Sequence, residues 1–341
     1  MNISQIGLGG SLAIVVLACG GSAPPAQTGA AGTTPGAAGD NPSAPAAAEP
    51  SHSADLATGI QAFDAGNYAD ARKSFEAAAK KNPSDYEALF NLGMACEKLG
   101  DPPAAESAYK AALAVKPDLD SAAAELSAIY LDAGRNDEAL AVARNGLAKH
   151  AGSAPLHENM GIALAAKGDQ DNATKEFSQA LQLTPNEAMF HLTFAHWLNV
   201  WKVRGAAPHL DAARDLVKDD YGMTASIGHE YRMAGEFDSC VKTFDHAVGI
   251  KDGGEVRTER ALCRLGMKDE KGTVVDLQAA VDKEPTYAPA HYYLGGRLAM
   301  TKHYKEAAAE YAKYLDLAPN GSLARPAAER MKAAQDAMKK K

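Results

Sequence analysis

Small and apolar residues recur along this chain on a fixed lattice. Ala71, Ala105, Ala139 and Ala173 fall 34 residues apart, and so do Gly66, Gly100, Gly134 and Gly168. Pro83, Pro117 and Pro185 lie on the same lattice, with Ala151 in the missing proline slot, and Pro285 and Pro319 are again 34 apart. Within one period the pattern divides into two helix-length groups. Leu89, Leu92 and Gly93 fall in the first, Ala105, Tyr109 and Ala112 in the second, and Pro117 follows. Glycine between the groups supplies the left-handed residue that ends a helix without a Cβ penalty. Proline after the second group stops it. The lattice predicts about eight helix-turn-helix units, starting near residues 52, 86, 120, 154, 188, 221, 254 and 288. A single unit leaves an apolar face bare, so only stacked units are stable.

This period and residue pattern resemble the tetratricopeptide repeat. Residues 154–187 match with Met160, Gly161, Leu164, Ala173, Phe177, Ala180 and Pro185, and the last unit with Leu294, Gly295, Ala307, Tyr311 and Pro319. The fifth and seventh units match least. Trp197, Trp201 and Pro208 replace the usual turn and second-helix pattern in the fifth; in the seventh, Gly266 lies two places early and Thr273 stands where alanine is expected. The resemblance implies an all-α fold: a right-handed α-solenoid over residues 52–320, closed by a capping helix over 321–341. In that cap Ala328, Met331, Ala334 and Met338 form a modest apolar stripe. Lys339, Lys340 and Lys341 suit a helix C-terminus.

The family lines a concave groove with the first helices of successive units, at the second, fifth, sixth, ninth and twelfth places. Carried onto this chain, those places hold Phe63, Phe90, Met94, Leu131 and Ile162, then Leu192, Leu262, Leu265, Tyr292 and Tyr293. Units five and six differ, with His196 and His229 at one equivalent place and Asn199 and Arg232 at another. Two readings stand for these four: solvated polar residues on an open face, or a polar recognition patch between apolar stretches. In the second, Arg232 grips a carboxylate and Asn199 a peptide backbone. Chaperone-binding members hold a C-terminal carboxylate with Lys and Asn from three successive units; only Asn91 matches here.

The N-terminus adds a second feature. The apolar run Leu12–Ala18 has the length of a signal-peptide core and is too short to span a bilayer. It ends in Val16-Leu17-Ala18-Cys19, which resembles a bacterial lipobox. The resemblance implies a signal peptide over 1–18, with Cys19 lipidated as the mature N-terminus. Residues 19–51 are almost entirely Gly, Ala, Pro, Ser and Thr. Such a composition buries too little apolar surface to offset its ordering entropy, so it reads as a tether reaching roughly 30 Å. Gly20 after the cysteine resembles lipoproteins sorted to the outer membrane.

Charge and chemistry narrow the picture further. The net charge of −8 argues against nucleic acid. No P-loop, HExxH or GxSxG is present, so neither a catalytic site nor a small-molecule substrate is expected. No cofactor or metal is expected. The four cysteines, Cys19, Cys96, Cys240 and Cys263, have no metal-ligand spacing. His191 and His196 lie about 140° apart around a helix. Cys96 and Cys240 fall on core positions and read as small buried hydrophobes. Cys240 and Cys263 lie in neighbouring units, where a disulfide is allowed outside the cytoplasm. The expected function is that of a non-catalytic protein-interaction scaffold. As a lipid-anchored envelope adaptor it resembles pilus-assembly, secretion or murein-enzyme scaffolds. The alternative is a soluble cytoplasmic or secreted regulatory scaffold.

Overall fold

The computed structural model describes residues 53–339. The signal segment 1–18, Cys19 and the tether to residue 51 lie outside the described residues. Among those described there are seventeen helices and no strand. In chain order they are α1 (Ala54–Asp64), α2 (Tyr68–Lys81), α3 (Tyr86–Lys98), α4 (Pro102–Val115), α5 (Asp120–Asp132), α6 (Asn136–Lys149), α7 (Ala154–Ala166) and α8 (Gln170–Leu183). There follow α9 (Ala188–Val200), α10 (Ala206–Leu216), α11 (Tyr221–Ala234), α12 (Phe237–Ile250), α13 (Gly254–Gly266), α14 (Glu270–Lys283), α15 (Ala288–Met300), α16 (Tyr304–Leu317) and α17 (Ala324–Lys339). This is the all-α solenoid the lattice predicts: eight helix pairs and a final helix. None of the described helices is long and apolar enough to cross a membrane.

The described residues form two compact bodies, one ending at Glu176 and the other beginning at Phe177. In the first, α1 packs on α2, α3 on α4 and α5 on α6. In the second, α9 packs on α10, α11 on α12, α13 on α14 and α15 on α16, while α17 covers α16.

Each pair closes through the same turn. At Gly66 the chain turns left-handed with φ 76°. Its N–H donates to Phe63 O at 2.9 Å, and the N–H of Asn67 donates to Ala62 O at 2.8 Å. These two bonds satisfy carbonyls that the end of α1 would otherwise leave bare. The second helix then starts on a polar cap where one is present, as where Asp101 accepts from Ala104 N at 3.3 Å.

Packing within a pair sets a large ring against a missing side chain. Tyr109 on α4 is fully buried, and a Cβ at Gly93 on α3 would run into its ring. Gly59 with Phe75, Gly228 with Phe244 and Gly295 with Tyr311 repeat the arrangement. Ala71, Ala105 and Ala139 are wholly buried where the helices cross. Each such ring contributes roughly 1.5–3 kcal/mol by leaving water, but only where the facing helix makes room.

Cys240 on α12 and Cys263 on α13 form a disulfide, their Cα atoms 5.9 Å apart. The reading of Cys240 as only a small buried hydrophobe is thereby corrected: it is buried, and it is also bonded. Cys96 stays a free buried thiol, pushed up by that burial.

Two outcomes follow from this packing. Gly93→Ala should destabilise the first body by about 1–3 kcal/mol, because the Tyr109 ring has nowhere to move; denaturant titration of the far-ultraviolet circular dichroism signal measures it. Breaking the disulfide with Cys240→Ala and Cys263→Ala together should cost the second body about 3 kcal/mol in the chain-entropy model, given the 23-residue separation. Alkylation followed by intact mass, with and without reductant, reports whether the bond is present.

Candidate partner-binding groove

In the second body the first helices of successive pairs, α9, α11, α13 and α15, pack side by side. This array places the groove residues inferred from the sequence. Leu262, Leu265 and Tyr293 are half-buried and keep a face to solvent. Leu192 and Tyr292 do not: only 8% and 5% of their surface is exposed. Tyr292 is held by ring contacts with Tyr311 and Tyr314, and the Arg330 guanidinium of α17 sits 5.0 Å from its ring centre. These two residues are therefore core rather than groove surface. Tyr292 stands on the first helix of the last pair, where Arg330 of the capping helix covers it.

The polar patch is not freely solvated. Glu230, on α11, is its centre, with a side chain only 3% exposed. His196 Nδ1 lies 2.8 Å from Glu230 Oε1, and Asn199 Nδ2 donates to Glu230 Oε2 at 2.8 Å and to its backbone carbonyl at 3.0 Å. His229 Nδ1 is 3.9 Å from the same carboxylate. An ionised carboxylate only accepts, so the His196 nitrogen facing it carries the proton. Arg232 Nε lies 3.2 Å from Glu259 Oε2 on α13. Of the donors that sequence reasoning assigned to a partner, the Asn199 amide is thus hydrogen-bonded within the chain, and Arg232 is ion-paired through Nε. His196, Asn199 and Glu230 fasten α9 to α11, and Arg232 with Glu259 joins α11 to α13.

Burial alone would push the Glu230 carboxyl up. The hydrogen bonds from His196 and Asn199, with His229 close by, outweigh it and hold the group down at about 2. Sequence reasoning missed Glu230 because it falls at the tenth place of its unit, between groove positions. The signal was present in outline: His196, Asn199 and His229 are donors gathered around one point, and donors in a partly buried place need an acceptor.

The first body has a different face. Phe63, Phe90, Met94, Leu131 and Ile162 are all half-buried, as groove positions require. Among them stand carboxylates at groove places that the search for apolar residues passed over. Burial pushes Glu97 up, partly offset by the Tyr109 hydroxyl that donates to it. Burial, then the charge of Glu97, push Glu125 up to about 7. The expectation of a largely apolar face in units one to four is corrected accordingly.

Histidines elsewhere close the joints between pairs. His157 contacts Ala151 O at 3.0 Å and Glu176 Oε2 at 2.6 Å, and His291 contacts Pro285 O at 2.9 Å and Glu310 Oε2 at 2.6 Å. His191 repeats the loop contact with Pro185 O at 3.0 Å, but its other nitrogen faces His209 Nδ1 at 3.2 Å. Burial, then His191, push the His209 imidazole down.

In each body a stack of helical hairpins that shows its first helices on one face defines a protein-interaction scaffold. The tetratricopeptide repeat model matches residues 56–124, 125–188 and 276–322, more than half of the chain, and the chain belongs to that family. The unmatched stretch 189–275 holds the fifth unit, the start of the seventh and the Glu230 network. Among solved structures, yeast Tom70 is similar at 17% identity over 84% of this chain and 64% of its own, with a TM-score of 0.52. The Cut9–Hcn1 hetero-tetramer of the APC/C is similar at 13% identity over 82% of this chain and 55% of its own, with a TM-score of 0.50. Pseudomonas aeruginosa PilF aligns at 16% identity over 59% of this chain and 91% of its own, with a TM-score of 0.48. At these identities the likeness is one of fold, and this chain spans less than two thirds of the length of the first two. No curated protein sequence matches the chain.

Asn199→Ala should destabilise the second body by about 3 kcal/mol, since it strips a donor from a buried charge. Arg232→Ala, at a half-exposed ion pair, should change it by about 1 kcal/mol or less. The Glu230 contribution is complete above the unfolded carboxyl value, about 4.3, and is lost as pH falls through about 2. Glu230→Gln should flatten that acid limb; chemical denaturation between pH 2 and pH 7 checks both statements.

Proposed function

We propose that the chain is a non-catalytic adaptor that holds a peptide of a partner protein on its first-helix faces. It is anchored by lipid on Cys19 to the cell envelope, at the periplasmic side of the outer membrane. The single observation that carries the binding half is the run of half-open apolar side chains along those faces. Phe90, Met94 and Leu131 stand in the first body, Leu262, Leu265 and Tyr293 in the second. In each body ionisable groups stand among them, Glu97 and Glu125 in one and the Arg232–Glu259 pair in the other. Such a face suits an extended or helical segment that offers alternate apolar side chains. Within the patch His196 and Asn199 with Glu230, and Arg232 with Glu259, contribute by holding helices α9, α11 and α13 in place.

The anchoring half rests on the order of segments: an apolar run, Val16-Leu17-Ala18-Cys19, then a tether to residue 51. The Cys240–Cys263 disulfide supports a compartment outside the cytoplasm, where such bonds persist. The acidic net charge fits a protein partner better than a nucleic acid.

The test is capture of the native complex by a tagged full-length chain. Leu262→Ser with Tyr293→Ser should lose the partner captured by the wild type while the helical circular dichroism signal stays. Recovery of the same partner at wild-type yield would remove the groove from the account. Cys19→Ser should abolish incorporation of an alkyne fatty acid. A wild-type chain that takes no label is not a lipoprotein, and the soluble scaffold reading then replaces the anchored one.

A further inference from the structure

The turn that closes α1 also closes three pairs of the second body, but with a different residue at its centre. The N–H of Lys202 donates to Asn199 O at 3.0 Å and that of Val203 to Leu198 O at 2.9 Å. Lys268 with Asp269, and Lys302 with His303, make the same two bonds. The lysines sit at φ 58°, 63° and 66°, where Gly66, Gly100, Gly134, Gly168 and Gly235 serve the other pairs. That conformation is costly for an L side chain and is retained where something else compensates.

The residues just before the four turns of the second body, three on lysine and one on Gly235, include exposed apolar side chains. Val200, Met233, Met267 and Met300 recur 33 or 34 residues apart and are 51%, 58%, 44% and 66% exposed, and Val203 beside Lys202 is 48% exposed. Val200, Met233 and Met300 stand two places before their turn residue and Met267 one place before; the first body has Asp64, Lys98, Asp132 and Ala166 at the former place and, at the latter, one exposed large apolar side chain, Leu99 at 43%. The turns of the second body adjoin one another. One cleft is lined by Lys202, Val203, Met233 and Glu236; Phe237 fills the space beside Gly266; and Arg297 Nη1 reaches Glu270 Oε2 at 3.3 Å. The exposed side chains therefore form one row along a single edge.

That edge carries surplus positive charge in a chain of net charge −8. Lys202, Lys268 and Lys302, with Arg204, Lys271 and Lys305, make no ion pair among the described residues. Of the acidic groups there, Asp269 is spent on capping α14 and Glu270 on Arg297. Glu236, Asp238 and Glu306 remain.

We propose that this edge rests on an anionic lipid surface. The methionine and valine side chains enter the acyl boundary, and the lysines lie with their stems along it and their ammonium groups at the phosphates. A protein partner fits less well, because lysine is depleted from protein interfaces, whose centres are contiguous packed clusters. Here single apolar side chains stand beside a turn lysine in three of the four pairs and beside Gly235 in the other. The contact does not require modification of Cys19.

The test uses the full chain carrying Cys19→Ser, so that no lipid is attached, in sedimentation with vesicles rich in phosphatidylglycerol and with vesicles of phosphatidylcholine alone. The chain with its edge intact should pellet with the first in a salt-sensitive manner. Met233→Gln, Met267→Gln and Met300→Gln combined should reduce that binding about tenfold or more, with an unchanged melting curve. Lys202→Gly, Lys268→Gly and Lys302→Gly combined should reduce it about as much while raising the melting temperature, because the strained turns relax. The N-terminal segment is common to all three proteins, so differences among them report the edge alone. Equal sedimentation of all three, or none by the chain with its edge intact, overturns the proposal. So does a methionine variant that keeps its vesicle binding but loses a protein from the native complex, which marks the edge as a protein contact.

Discussion

The ring of Tyr109 occupies the space that a side chain at position 93 would fill. The same exchange, a large ring on the second helix against a missing Cβ on the first, recurs at Phe75, Phe244 and Tyr311. It sets how closely two helices of a pair approach, and the approach leaves one face of each first helix turned away from its partner. That face is what α9, α11, α13 and α15 assemble side by side. Binding surface is in this sense a by-product of packing: the side chains that fill the pair interior leave the outer places open to other chemistry.

The lattice made the pairing legible because its markers are irreplaceable locally. A left-handed turn favours glycine, and a close crossing favours glycine or alanine, so both leave a period in the sequence. The fold class, the eight pairs and the final helix could therefore be read directly. The site was less legible, for two reasons. Family positions say where a residue points, not what already holds it, so Asn199 looked like a free donor although Glu230 takes it up, and Arg232 like a free charge although Glu259 stands beside it. Nor do they say what covers a position: Tyr292 sits at a groove place, but α17 packs over its end of the array. The search for apolar groove residues also hid Glu97 and Glu125, which occupy groove places by the same rule.

The irregular stretch between residues 189 and 275 gathers several exceptions to the repeat. It holds a buried carboxylate fastened by donors from a neighbouring helix, a histidine facing another histidine, two lysines at left-handed turns, and the disulfide. The carboxylate, the histidine pair and the disulfide are specific polar or covalent contacts, whereas the lysines put a strained residue in the place of glycine. A carboxylate held by hydrogen bonds tolerates few alternative registers, because a shifted helix would leave the charge unpaired. Loss of consensus in these pairs has been offset by interactions that fix one arrangement, rather than by a larger core.

In a repeat array each pair leans only on its neighbours, so a tensile load applied at one terminus should peel pairs away in order. The bond between Cys240 and Cys263 changes that sequence of events. Helices α12 and α13 belong to consecutive pairs, and once the pairs C-terminal to them have come away, the covalent link still carries load across their junction. The 23 residues it spans cannot extend. An unravelling front that starts at α17 would meet a ratchet there, and a pulled molecule would stop short of its full contour length for as long as the thiols stay oxidised.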